Sequence, residues 1–315
     1  MRDPVLKPVK TPVAIILYRR PRLVGELVRI LQTHRPERVW LIADGPKGEN
    51  RVEAGLCLEA RREAERGITW DCKVHKIYAE KNLGLRRNVE QGLDALFAEE
   101  SEAIILEEDC HPSPGFFPFC EEMLGRYRNE TSVAGVSGNC FLPKSTVVDS
   151  DYFFSSYLHI WGWATWARAW NSYDRPSWFW PEGGYRSYFP EAGKAQSRYW
   201  DRIYGRVSSG QIQTWDYPWV SHLWRRGWVS ITPSQNLVTN RGFGLEATNT
   251  RDSSAEVGLE REGQLSPPYR GPTGQIRADT TLDQLVFQNH FLRMEGRLPF
   301  FSRMLRSIRK RLNVA

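Results

Sequence analysis

The first 140 or so residues alternate short apolar runs with amphipathic stretches, and that rhythm leaves few folds open to the chain. VAIILY (13–18) is a candidate strand, and residues 22–33 carry Leu23, Leu27, Ile30 and Leu31 on one helical face. RVWLIADGP (38–46) is a second strand ending in a turn signal, followed by a polar helix over about 50–66. DCKVHKIY (71–78), a helix from Leu85 bearing Val89, Leu93, Leu96 and Phe97, the run AIIL (103–106), a helix over about 115–128 and SVAGVSGN (132–139) continue the series. Strand, helix, strand, helix in this order builds right-handed βαβ units. The expected fold class is α/β, a mainly parallel, Rossmann-like sheet with helices on both faces.

In such sheets a ligand lies beyond the carboxyl ends of the strands. Four features fall there: Tyr18-Arg19-Arg20, Asp44-Gly45, Glu80 to Gly84, and the acids Glu107, Glu108 and Asp109. Topology brings them together although they are far apart in sequence. Three carboxylates at the end of a buried strand repel one another and are costly to desolvate. Either a hard divalent cation (Mg²⁺ or Mn²⁺) neutralises them, with phosphate and water completing its oxygen shell, or they are a solvated strand end paired with Arg or Lys. Arg19, Arg20, Lys81, Arg86 and Arg87 supply positive charge suited to an anionic ligand, or are ordinary surface residues. Asn82-Leu83-Gly84 opens a helix whose free N–H groups favour phosphate. Asp44 either accepts hydrogen bonds from a nucleobase edge or simply forms its turn. His111 is an accessory ligand or polar surface.

The second half is a different material. Eleven of the thirteen tryptophans lie between Trp161 and Trp228, in phrases such as HIWGWATWARAW and TWDYPWVSHLW. Such density is either a core packed against the sheet or, for a few residues, the lining of a sugar-binding cleft, since pyranose rings rest their CH faces on indole. Asp216 sits among these aromatics, where low polarity raises a carboxyl pKa and makes a competent base; it is equally placed to cap a helix expected over 217–226. The expected organisation is a β/α half over 11–145, a Trp-rich half of the same domain over 146–250, a loop or linker over 251–280, and a helical basic tail over 281–315. In that tail Phe301, Met304, Leu305, Ile308 and Leu312 interleave with arginines, a pattern that docks on the body or lies on an anionic membrane.

Several classes are excluded. No G-x-G-x-x-G follows the first strand, no P-loop occurs and no G-x-S-x-G is present. A formal charge of +6 without a basic stripe in the Trp-rich half argues against a nucleic-acid partner. Five cysteines without metal-type spacing suit a reducing compartment. With no secretory-type N-terminus and no apolar run near the roughly 18 residues that span a bilayer, the expected location is cytoplasmic, peripheral at the inner face of the membrane if the tail binds lipid.

The ordered set of motifs resembles the GT-A glycosyltransferases, over roughly residues 11–250. LEEDCHPSPGFF is similar to the E-D-D motif of the N-acetylglucosaminyltransferase I group, GWATWARAW to its aromatic helix, TWDYPW to its W-D-D-W segment, and NLVTNRGFG to the loop that follows. Bacterial family 2-like proteins share the run HIWGWATW…TWDYPW…NLVTNRGFG. The resemblance implies an inverting transfer from a nucleotide-diphosphate sugar, a UDP-sugar by default, assisted by Mn²⁺ or Mg²⁺. The acceptor would be a glycan, a lipid-linked glycan or a protein, as in polysaccharide biosynthesis. By the same resemblance Asp109 binds the metal, Glu107 and Glu108 lie near the ribose and donor sugar, and Asp44 contacts the base. Arg20 meets the diphosphate. The helix start at Asn82 and Gly84 and the charge of Arg87, read from the strand ends above, complete the expected ligand-binding set. Asp216 deprotonates the acceptor hydroxyl, and the loop Asn240-Arg241-Gly242 closes over the diphosphate. The triplet is Glu-Glu-Asp where the group has E-D-D, and W-D-Y-P-W leaves Asp216 as the one acid of its segment. A sugar-1-phosphate nucleotidyltransferase and a non-catalytic carbohydrate-binding module are the alternatives; the former normally carries a Gly-rich loop where LYRRPRL stands here.

Overall fold

The computed structural model of the chain describes residues 8–175, 180–242 and 263–293. The first half follows the expected alternation: β1 (Val13–Leu17), α1 (Pro21–His34), β2 (Arg38–Ala43), α2 (Arg51–Gly67), β3 (Lys73–Tyr78), α3 (Leu85–Glu99) and β4 (Glu102–Glu107). There follow β5 (Cys110–Pro112), α4 (Phe116–Arg126), β6 (Val133–Ser137), β7 (Tyr152–Ser155), β8 (Trp163–Trp166) and the short α5 (Ala167–Trp170). The chain continues through α6 (Lys194–Ser208), α7 (Asp216–Arg226), β9 (Val229–Pro233), β10 (Val238–Asn240) and α8 (Thr280–Val286), which runs into a π turn over Phe287–Leu292.

Eight strands form one sheet in the order β3-β2-β1-β4-β8-β6-β9-β7. β3, β2, β1 and β4 are parallel throughout, as the alternation predicts. Beyond them the pairing is mixed, because β8 lies antiparallel between β4 and β6. The strand at 132–139 therefore does not extend the parallel series directly: the tryptophan phrase WATW inserts beside β4 first. Period-two alternation divides the core between the two faces. Val13, Ile15 and Leu17 of β1 pack with α1, α2 and α4, while Ala14 and Ile16 pack with α3, α5 and α7.

Most of the tryptophans are core, as one of the two readings has it: Trp163, Trp166, Trp170, Trp200, Trp215, Trp219 and Trp224 are all buried. Trp161, Trp180 and Trp228 are half-buried. The described part of the expected linker is irregular from 263 to 279, yet it is not simply exposed. Leu265 and Tyr269 are buried, and Tyr269 meets Phe119 edge-on at 5.2 Å. Asp283 anchors α8, accepting from Ser155 Oγ (2.5 Å), Ser156 N (2.9 Å) and Ser156 Oγ (2.6 Å). The basic helix expected beyond 293 lies outside the described residues. No helix among the described residues is long and apolar enough to cross a membrane.

His34 ends α1 buried against Phe117, with ring centroids 4.4 Å apart, and burial lowers its pKa to about 4. The unfolded chain takes up this proton first, so the stability that neutral His34 confers is present above about pH 6.5 and lost as pH falls toward 4. Urea unfolding should register a loss of about 2–3 kcal/mol from this residue between pH 7 and 4.5. His34→Phe should flatten that part of the profile.

Candidate active site

The strand register places the site. Leu17 stands opposite Ala43, and Ile16 opposite Glu107, so β1, β2 and β4 end level. Tyr18, Asp44 and the three acids therefore leave the sheet together, into a cleft of about 460 Å³. Its lining includes Tyr18, Arg20, Asp44, Lys47, Asn82, Gly84, Asn88, Glu107, Glu108, Asp109, Trp161 and Gln213, with Asn240 and Gly242 beside Asp109.

Arg20 leads into α1, where Pro21 fixes the helix start. Its Nη1 is 2.7 Å from Asp109 Oδ2, and its Nε is 3.8 Å from Glu108 Oε1. A small antiparallel pairing of β5 with β10 brings the Asn240 loop alongside. Asn240 Nδ2 donates to Asp109 Oδ1 (3.2 Å), and Arg241 N donates to the Asp109 carbonyl (2.8 Å). Glu108 is buried and accepts from Tyr18 N at 2.7 Å; burial pushes its pKa up to about 7. Glu107 is raised more strongly, first by burial and then by the neighbouring carboxylates of Asp109, Asp216 and Glu108. The repulsion expected from the triplet is thus present, and Arg20 offsets only part of it.

Asp44 is buried and takes four donors from its own neighbourhood: Gly45 N (2.8 Å), Asn82 Nδ2 (2.9 Å), Leu83 N (2.7 Å) and Gly84 N (3.1 Å). A carboxylate has about four such sites, so the turn-forming reading describes what Asp44 does here, and a nucleobase would have to displace one of these bonds. The loop is tight enough that a Cβ on Gly45 would lie 2.5 Å from the Lys81 carbonyl carbon, and Gly84 holds φ +79° ahead of α3. The N–H groups of Leu83 and Gly84, expected to favour phosphate, are therefore occupied by Asp44.

Much of the expected positive charge points elsewhere. Arg19 pairs with Glu53 (3.1 Å) and Arg86 with Glu90 (3.0 Å). Arg87 is exposed and does not line the cleft; Asn88, the next residue, is buried and does. The Arg241 side chain is exposed and reaches Glu26 at 3.4 Å, while Gly242 lies against Asp109. The rest of the loop, 243–250, lies outside the described residues. Sequence reasoning missed Lys47, Asn88 and Gln213. The first two carried a signal: a lysine in the D-G-P-K turn, and a polar residue on the buried face of α3.

Asp216 is the first residue of α7, with Trp215 rather than Asp216 at the cap position. Its Oδ1 accepts from Thr214 Oγ1, and burial raises its pKa, as its aromatic setting predicts. It lines a second pocket of about 220 Å³ walled by aromatic side chains; Trp161 borders both cavities.

The donor set suits a hard divalent cation, because mutually repelling carboxylates of Glu107 and Asp109 face one cleft. Among the described residues no group of three or more His, Cys, Asp or Glu is arranged as a preformed metal site. Any cation here would depend on ligand oxygens as well.

No protein-family model matches the chain, and no curated protein matches it in sequence. Solved structures give partial likenesses. A mannosyltransferase from Pyrobaculum calidifontis, in complex with GDP-Man and Mn²⁺, is 12% identical, with a TM-score of 0.35 over 70% of this chain and 69% of that one. A cytidylyltransferase from Leptospira borgpetersenii is 12% identical, with a TM-score of 0.31 over 53% and 64%. Glucosyl-3-phosphoglycerate synthase from Mycobacterium tuberculosis is 11% identical, with a TM-score of 0.29 over 50% and 57%. This chain thus spans less than two thirds of the length of two of these three.

Because the folded-state pKa of Glu107 is raised, the stability linked to its protonation is present at low pH and lost as pH rises. Without metal, Glu107→Gln should therefore be more stable than the wild type at pH 8 by about 1 kcal/mol, or about 1.5 °C in melting temperature for a chain of this length. The difference should close at pH 5. Scanning calorimetry at the two pH values checks both the sign and the window.

Proposed function

We propose that this chain is an inverting glycosyltransferase that moves a sugar from a nucleotide diphosphate to an acceptor hydroxyl. One observation carries the reading. A cleft with four acids, Asp44, Glu107, Glu108 and Asp109, against two cations, Arg20 and Lys47, adjoins a separate aromatic pocket holding the partly desolvated acid Asp216. An acid-rich cleft of this composition repels a diphosphate unless a cation enters with it. A carboxylate of raised pKa next door, close enough to Glu107 to raise it in turn, is what deprotonation of a second substrate requires. The motif resemblance to GT-A enzymes points the same way.

In this mechanism the nucleotide diphosphate occupies the cleft at the carboxyl ends of β1, β2 and β4. Arg20 and Lys47 balance part of its charge, and the loop pinned by Asp44 shapes the floor. Asp109, with Glu107 beside it, would hold Mn²⁺ or Mg²⁺, which supplies electrostatic stabilisation of the departing diphosphate. Asp216 accepts the proton of the acceptor hydroxyl as its oxygen attacks the anomeric carbon from the face opposite the leaving group, inverting the configuration. Trp161 stands between the two substrates and excludes water from the path. Base identity, including the UDP default, stays a proposal, as does the acceptor's wider structure. A sugar-1-phosphate nucleotidyltransferase would use the same cleft but leaves Asp216, in its own pocket, without a task.

Replacement of Asp216 by Asn keeps size and removes the base. Asp216→Asn should lower acceptor-dependent release of nucleotide diphosphate by about 10²–10⁴-fold while nucleotide binding stays near wild type. Full activity in this variant would remove the assignment.

A further inference from the structure

The pocket that holds Asp216 is completed by a segment first read as the start of a basic tail. α8 is fixed to β7 by Asp283, and the helix then widens into a π turn over Phe287–Leu292, a distortion that concentrates at functional sites. Asn289 Nδ2 donates to the Phe141 carbonyl (2.9 Å), and the His290 ring stacks on Phe141 with centroids 3.8 Å apart. Phe291 lies 4.8 Å from Trp200. Both His290 and Phe291 line the pocket with Asp216.

The polar groups of this pocket are incomplete. Asn139 Oδ1, His159 Nε2 and His290 Nδ1 are buried without a hydrogen-bond partner among the described residues, and Asn139 and His159 are each more than nine-tenths buried. Such groups are destabilising unless a water or ligand pairs them. We propose that the segment around His290 and Phe291 selects the acceptor, which enters this pocket as an uncharged pyranose ring.

The inference rests on the glycosyltransferase reading and names its second substrate. A pyranose has apolar CH faces for Trp161 and Phe291, and hydroxyls that both donate and accept, as Asn139 and two neutral imidazoles require. Burial keeps those imidazoles neutral, with the His290 pKa lowered to about 3, and no Lys or Arg is among the described lining residues. An anionic sugar or a phosphate would find no counter-charge. The volume of about 220 Å³ corresponds to about seven waters. That is room for one ring, not for a stretch of polymer.

Saturation-transfer NMR on the full chain, with Mn²⁺ and UDP or GDP present, tests this with methyl glycosides of neutral hexoses, methyl glucuronide and a Ser/Thr peptide. Neutral glycosides should bind and the glucuronide and peptide should not. His290→Phe and Phe291→Ala should each weaken glycoside binding by about tenfold, with the nucleotide-induced thermal shift unchanged as evidence of intact folding. Nucleotide binding without any glycoside binding overturns this inference alone, as does unaltered glycoside binding in both variants. If no nucleotide binds, the glycosyltransferase reading falls and takes the inference with it.

Discussion

The structure turns on the mutual repulsion of carboxylates held at the end of a buried strand. β4 is buried through Ile105 and Leu106, and the three acids that follow begin with Glu107, which the register of β4 with β1 holds opposite Ile16. Arg20 answers Asp109 and in part Glu108, and Tyr18 N–H answers Glu108. Glu107 faces Asp109 and Asp216 with no comparable counter-charge and is held well above the usual carboxylate range. A fold that keeps such a group does so at a cost in stability, which is the pattern of a binding site rather than of a scaffold.

Around that centre the sheet acts as a positioning device. The level ends of β1, β2 and β4 present one acid-rich edge, and Asp44 uses its carboxylate to set the loop over residues 82–84. The tryptophans have a different task. Buried Trp163, Trp170, Trp215 and Trp219 pack ring on ring and fix α7, and through it Asp216, against the sheet. Trp161 is left at the border of both cavities. The aromatic density thus mainly holds α7 and Asp216 in place, and only a small part of it lines the cavities.

What the sequence made legible followed local periodicity. The elements from β1 to β4 were readable because buried strands and amphipathic helices carry different apolar periods, and the level strand ends followed from topology alone. The insertion of β8 between β4 and β6 was not, since WATW contains no sign of which strand it will join. Partner choice was the other limit. Asp44 and Arg87 were sensible ligands by type and place, but Asp44 is saturated by its own turn and Arg87 is exposed outside the cleft lining. A helix offers several faces, and one residue's shift, from Arg87 to Asn88, decides which of them meets the cleft. The contribution of His290 and Phe291 was hidden because it depends on a long-range return of the chain.

The most direct test is the stabilisation of the protein by UDP, GDP, CMP and dTDP, each with and without Mn²⁺, on the wild type and on Asp109→Ala. A ligand that binds only the folded state raises its stability by about 2.7 kcal/mol at a hundredfold excess over Kd. One nucleoside diphosphate should raise the melting temperature only with Mn²⁺ present, and the effect should vanish in Asp109→Ala. A shift that ignores the metal and survives the substitution, or no shift with any nucleotide, would contradict the account.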